Sequence, residues 1–242
     1  MVQSLAFEKV EYRSLNEIAC EQIKQKIIDN ELPPGEKLDV GKLCESLGVS
    51  RTPVINALKE LTQKGYVVIN PRSGSYVREH TREEIEYIFD FREAMEGLIP
   101  RKIIGCLDPS VLRSIRSRLA ALKTEGPPST ELLQQYFEAE MELHQYMLRL
   151  CPPIVSDKLE NLVDLTKRLR KLHLGYLMET KGRVDFADDE IQIHVDIADA
   201  LLSGDAAKAE ACLLQDIRTT RNQILEDFDA IEAFAREKTG TP

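Results

Sequence analysis

The sequence predicts a mainly α protein in two parts: an N-terminal winged helix-turn-helix with a small β wing over residues 1–79, and a C-terminal all-α helical bundle over residues 80–242. Three observations predict it. Leu47 to Val77 reads as helix, turn, helix and hairpin. Beyond residue 80, apolar residues recur at helical spacing with no convincing strand. Asp-Pro, Gly-Pro-Pro and Gly-Asp breaks divide that second stretch into helices of ordinary length.

In chain order, the first helix is expected over Tyr12 to Asn30, with Leu15, Ile18, Ala19, Ile23, Ile27 and Ile28 forming one apolar stripe. Two prolines and Gly35 end it. Asp39 caps a short second helix carrying Val40, Leu43 and Leu47, and Gly48 makes the turn. Ser50 is placed to cap the next helix with its hydroxyl, and Pro53 sits in the first turn, where a missing N–H costs little. Val54, Ala57, Leu58 and Leu61 face a core, and Arg51 and Thr52 stand at the exposed N-terminal end. Gly65 ends the helix, and two β runs follow, Tyr66 to Ile69 and Ser75 to Val77. A second helix presented this way suits a DNA major groove.

Arg78 to His80 link the two parts, and Thr81 with Glu84 forms a capping box opening the next helix. Six helices are expected, near 81–105, 109–124, 129–151, 154–180, 187–203 and 205–235, with Gly126-Pro127-Pro128 separating the second from the third.

Composition excludes several classes. Hydrophobic content of 43% supports real cores, and charged content of 30% without low-complexity tracts indicates a soluble, cytoplasmic protein. No apolar run approaches a membrane span, and no signal peptide is evident. Five scattered cysteines without a CxxC pair indicate reduced thiols. Residues 1–79 hold 11 Lys+Arg and 11 Asp+Glu, so the whole excess of −9 lies in the C-terminal part and does not burden a DNA-binding surface. No HExxH, nucleophile elbow or phosphate loop occurs, which argues against an enzyme, with a metal-dependent enzyme the remote alternative.

PPGEKLDVGKLCESLGVSRTPVINALKEL…GYVVINPRSGSYV resembles the GntR family of bacterial transcriptional regulators over about residues 12–78. The resemblance implies a dimer on a near-palindromic double-stranded DNA operator, with Arg51, Thr52 and Asn56 on the recognition helix and Arg72, Ser73 and Gly74 at the wing tip. Where the family usually carries a DNA-contacting Arg, this chain has Ile55. For Arg51 and Asn56 the alternative is a solvated helix surface. The helical half resembles the FCD effector domain of the FadR and VanR type, with HVDIADALLSGDAAKAEACLLQDI matching the family stretch from His194. That resemblance implies a divalent metal held by Glu140, His144, His194 and Asp216, with Glu140 standing for the family Asp and Asp216 for the last His. Two imidazoles and two carboxylates suit zinc, nickel, manganese or iron. Arg92 resembles the family's pocket arginine, which implies a small carboxylate effector. The alternatives are a polar pocket that binds ligand through hydrogen bonds alone, a Glu140–His144 helix pair, an Arg92 locked to a structural acid, and a bundle that serves dimerisation only.

Overall fold

The computed structural model describes residues 13–123, 129–181 and 187–239, in two compact units, Met1–Glu79 and His80–Pro242. In the first unit, α1 (Leu15–Ile28) opens with a Ser14/Glu17 capping box and buries Ala19, Cys20, Ile23, Ile27 and Ile28. Leu15 is exposed instead of joining that stripe, because it stands on the first turn, and Tyr12 lies outside the described residues. Asp39 accepts from the amide of Lys42 to cap α2 (Val40–Leu47), and Gly48 at φ 66° turns the chain, a conformation that favours glycine. The recognition helix α3 (Arg51–Gln63) buries Val54, Ala57, Leu58 and Leu61. Ser50 occupies its N-cap position, but its side chain makes no capping hydrogen bond, so the cap expected from the hydroxyl is not formed.

The wing has three strands where the sequence suggests two. The strand β1 (Lys37–Leu38) pairs antiparallel with β3 (Gly74–Val77), which also pairs with β2 (Val67–Asn70), in the order β1-β3-β2. Two residues of β1 carry no alternation to read. At the β2–β3 turn, Arg72 has φ 74°, a left-handed backbone that costs a non-glycine residue roughly 1 kcal/mol or more.

The second unit is helical throughout its described residues: α4 (Arg82–Glu96), α5 (Ile99–Ile103), α6 (Pro109–Ala121), α7 (Thr130–Arg149), α8 (Pro153–Lys181), α9 (Ala187–Ser203), α10 (Ala206–Glu226) and α11 (Phe228–Thr239). The Thr81/Glu84 capping box starts α4. Two expected helices are divided. The 81–105 helix breaks at Gly97, where an added Cβ would meet Glu93 O and Leu214 Cδ2 at 3.0 Å, so α10 is pressed against that backbone. Pro100 then removes the N–H that would bond Glu96 O. The 205–235 helix breaks at Asp227 without a glycine or proline. Turning there buries Phe228 and Ile231 against the bundle and brings the Asp227 carboxylate 2.9 Å from His173 Nε2. Gly126-Pro127-Pro128 lies outside the described residues.

Candidate nucleic-acid interface and buried metal centre

On α3, the face opposite the buried Val54, Ala57, Leu58 and Leu61 presents Arg51, Thr52, Ile55, Asn56 and Lys59 to solvent. Packing of α1 and β2 behind α3 leaves only this face outward. Arg72, Ser73 and Gly74 form the turn of the β2–β3 hairpin, and Tyr76 Oη donates to Ser73 O at 3.1 Å, bracing it. Lys37 belongs to the same surface. It is exposed on β1, its Cε lies 3.3 Å from where a Gly74 Cβ would be, and its Nζ stands 6.0 Å from the Tyr76 ring centre. Nothing in the local sequence marks Lys37, because only the β1–β3 pairing brings it to the wing.

Five helices of the second unit converge on a buried polar cluster. His144 comes from α7, His194 from α9 and Asp216 from α10, all buried. The two Nε2 atoms are 3.4 Å apart, and each faces an Asp216 oxygen, at 3.4 Å from His144 and 3.5 Å from His194. Ligands around a tetrahedral ion with bonds of about 2.0–2.1 Å are separated by about 3.3–3.4 Å. The spacing of these donors therefore matches that of ligands around a small divalent ion. Each imidazole is also oriented for it. The His194 Nδ1 lies 2.8 Å from the carbonyl of Glu190 and 3.2 Å from Tyr136 Oη, which leaves Nε2 as the ring nitrogen turned to Asp216. His144 Nδ1 is buried without a hydrogen-bond partner and points towards Glu96 Oε2, 3.8 Å away. Glu140 is buried and lines the same cavity, one helical turn before His144, but does not belong to the group of donors lying within 4.8 Å of one another.

Without an ion, the electrostatics are those of an imidazolium–carboxylate pair. Burial would lower the basicity of His144, but the Asp216 and Glu96 carboxylates override it and push the imidazole up to about 9. Burial would raise Asp216, but the two imidazoles and Arg170 hold it well below the usual carboxylate range. A cation entering the cluster competes with the His144 proton. Around the cavity, four buried carboxylates, Glu96, Glu140, Glu190 and Asp216, face two buried guanidiniums, Arg92 and Arg170. His144, held as an imidazolium, and Lys167 on the cavity wall add to the two guanidiniums in offsetting those carboxylates.

Arg92 lines the cavity, but its fork is engaged. Its Nε donates to Glu96 Oε1 at 2.6 Å, its Nη2 to Glu96 Oε2 at 3.4 Å and its Nη1 to Thr166 Oγ1 at 2.7 Å. A guanidinium has five N–H donors, so two remain beyond these bonds. Arg170, which the sequence did not single out, pairs with Glu190 and donates to Gln223 Oε1 at 3.0 Å, while Gln223 donates to Glu190 Oε1 at 3.0 Å. The cavity holds about 30 Å³, enough for a few solvent-sized groups. It adjoins a groove of about 810 Å³ between α7 and α8, with Phe137, Met141 and Lys167 lining both.

The chain matches two family models: bacterial regulatory proteins, gntR family, over residues 15–77, and the FCD domain over residues 87–219. An uncharacterized HTH-type transcriptional regulator in an unstable DNA locus of Streptomyces ambofaciens is 28% identical over 225 residues, spanning 91% of this chain and 87% of its own. The HTH-type transcriptional repressor RspR of Escherichia coli K12 is 23% identical over 209 residues, spanning 85% and 88%. Among solved structures, E. coli McbR/YncC superposes with a TM-score of 0.68 at 21% identity over 89% of this chain and 99% of that one, which shows a shared fold. No described helix is long and apolar enough to cross a membrane. A winged helix-turn-helix joined to an FCD helical unit, with relatives named as transcriptional regulators, places this chain in the GntR family of bacterial regulatory proteins as a DNA-binding transcriptional regulator rather than an enzyme.

Proposed function

We propose that this protein is a cytoplasmic, homodimeric regulator whose affinity for a near-palindromic operator is set by a divalent metal and a small organic acid in the C-terminal bundle. The observation that carries the reading is the spacing of the His144, His194 and Asp216 donors, 3.4–3.5 Å apart in a buried cavity. His144 and His194 supply nitrogen, Asp216 supplies oxygen, and Glu140 stands at the cavity wall. Zinc, nickel, manganese or iron suits that mixture. A bound metal would supply a Lewis-acidic position for the effector's carboxylate. Arg92 directs its remaining N–H donors to the effector while its Nε–H stays on Glu96. The α7–α8 groove offers space for the effector's body, with Lys167 on its wall.

For the dimer, α4 has two faces. Ile85, Phe89, Arg92 and Glu96 point inward, whereas Tyr87, Phe91 and Met95 lie 66%, 61% and 36% exposed along one outer stripe, with Leu98, 54% exposed, just past the break. Spacings of 4 residues keep Tyr87, Phe91 and Met95 on one side of the helix. We assign it to the second copy, since two heads are needed to read two half-sites.

Elemental analysis of protein purified without chelator tests the metal. About one equivalent per chain is expected, lost in His144→Ala and His194→Ala. No metal in untreated protein and no uptake on titration would leave the cluster as an imidazolium–carboxylate pair and the reading without its basis.

A further inference from the structure

We infer that Ile55 is a base-reading residue that recognises the methyl group of a thymine in the operator. Ile55 stands on the outward face of α3. The buried face of that helix is complete without it: Val54, Ala57, Leu58 and Leu61 are each at most 2% exposed, whereas Ile55 is 40% exposed. Its neighbours on the outward face, Arg51, Thr52, Asn56 and Lys59, are all polar and all exposed. A large branched apolar side chain that keeps 40% of its surface in water, in the middle of a polar reading face, carries a solvation cost that an apolar partner would relieve. Ile55 lies one helical turn after Arg51, about 6 Å along the axis, inside the N-terminal half of α3 that enters a major groove.

In that groove, thymine is the one base that offers an apolar group, its C5 methyl; the other base edges present donors and acceptors. The β-branch of isoleucine restricts χ1 in a helix, so the side chain is already ordered and its contact loses little rotamer freedom on binding. Flanking polar residues fit the same arrangement. Arg51 suits guanine O6 and N7, and Asn56 suits adenine N6 and N7, so an apolar position between them extends the reading to a third base type. The inference rests on α3 being the DNA-reading helix.

The test uses the full-length protein. Operators are selected from random duplex DNA, and each selected thymine is then replaced singly by uracil, which removes only the methyl. Affinities are measured by fluorescence anisotropy. At one thymine per half-site, uracil should weaken wild type by about 4-fold, the worth of one buried methyl-sized group. The same replacement should leave Ile55→Ala unaffected, and Ile55→Arg should move the selected base there to guanine. The wild-type arm does not depend on any variant folding. Three results would overturn the inference: no thymine whose methyl matters, a methyl effect that persists in Ile55→Ala, or an Ile55→Ala loss equal on both DNAs, which would place Ile55 against sugar or another protein surface. Failure of wild type to select any sequence would instead remove the reading role of α3, and the inference with it.

Discussion

Glu96 stands between Arg92 and His144. Its Oε1 accepts Arg92 Nε–H at 2.6 Å, and its Oε2 lies 3.8 Å from His144 Nδ1. The carboxylate belongs to α4, while His144 belongs to α7. A hydrogen bond from Nδ1 to that carboxylate would hold the His144 ring with Nε2 turned to the cluster. Burial alone would raise Glu96, but the Arg92 charge, with His144 beside it, keeps it ionised and below the usual range.

Glu96→Gln should therefore weaken metal binding by about 10–100-fold while leaving His144, His194 and Asp216 in place. Competition against a chromophoric chelator measures it. Unchanged affinity would show that Glu96 serves Arg92 alone.

Metal should also stabilise the fold. At a free concentration about 100 times its Kd, an ion that binds only the folded state adds about 2.7 kcal/mol. Thermal unfolding with and without zinc should separate by several degrees in wild type and coincide in His194→Ala. A metal-dependent shift that survives in His194→Ala would place the ion elsewhere.

The apolar stripe of α4 predicts a third outcome. Phe91→Glu puts a charge at its centre without touching the inward face of α4. Sedimentation should show a monomer with the wild-type circular dichroism spectrum. A variant that still sediments as a dimer would move the interface off α4.

In the head, Arg51→Ala should cost about 1–3 kcal/mol on the selected operator and relax selection at one base. Lys37→Ala and Arg72→Ala should instead weaken all sequences alike and each lower the salt slope by about 1. Arg72→Gly should lose the same affinity with no loss of thermal stability, because glycine accepts the φ of 74° found there. A base-specific change from Lys37→Ala would mean that this side chain reads the groove rather than the phosphates.

How far the sequence was legible follows from what is local. Helix phase, caps and turn residues lie within a few positions of one another, so α2, Gly48, α3, the β2–β3 hairpin and the Thr81/Glu84 box could all be read directly. The α10–α11 break could not, because no local residue forces it; the burial of Phe228 and the His173–Asp227 pair do. The same holds for the cluster. His144 with His194, Arg92 with Thr166 and Arg170 with Glu190 are 50, 74 and 20 residues apart, and helical spacing says nothing of how one helix registers on another. Glu96 was hidden for this reason, although it sits one turn after Arg92 on the same face. Lys37 was hidden because a two-residue strand has no pattern of its own.

The central claim is that occupancy of the buried cluster changes how the heads bind DNA. In the sequence α4 follows the head directly, and it carries both Glu96 and the apolar stripe. Arg218 and Arg221 on α10, the helix of Asp216, pair with Glu93, Glu86 and Asp90 of α4. Those pairs are partly exposed and individually weak, but together with Glu96 they tie α4 to two of the elements that hold the cluster. An ion shifts DNA affinity only by favouring one arrangement of the heads. The most direct measurement is operator affinity of one preparation, first stripped of metal and then reloaded, beside His194→Ala treated identically. Wild type should change by about 5- to 150-fold on reloading, and His194→Ala should not change. Equal affinity of the stripped and reloaded wild type would contradict the account.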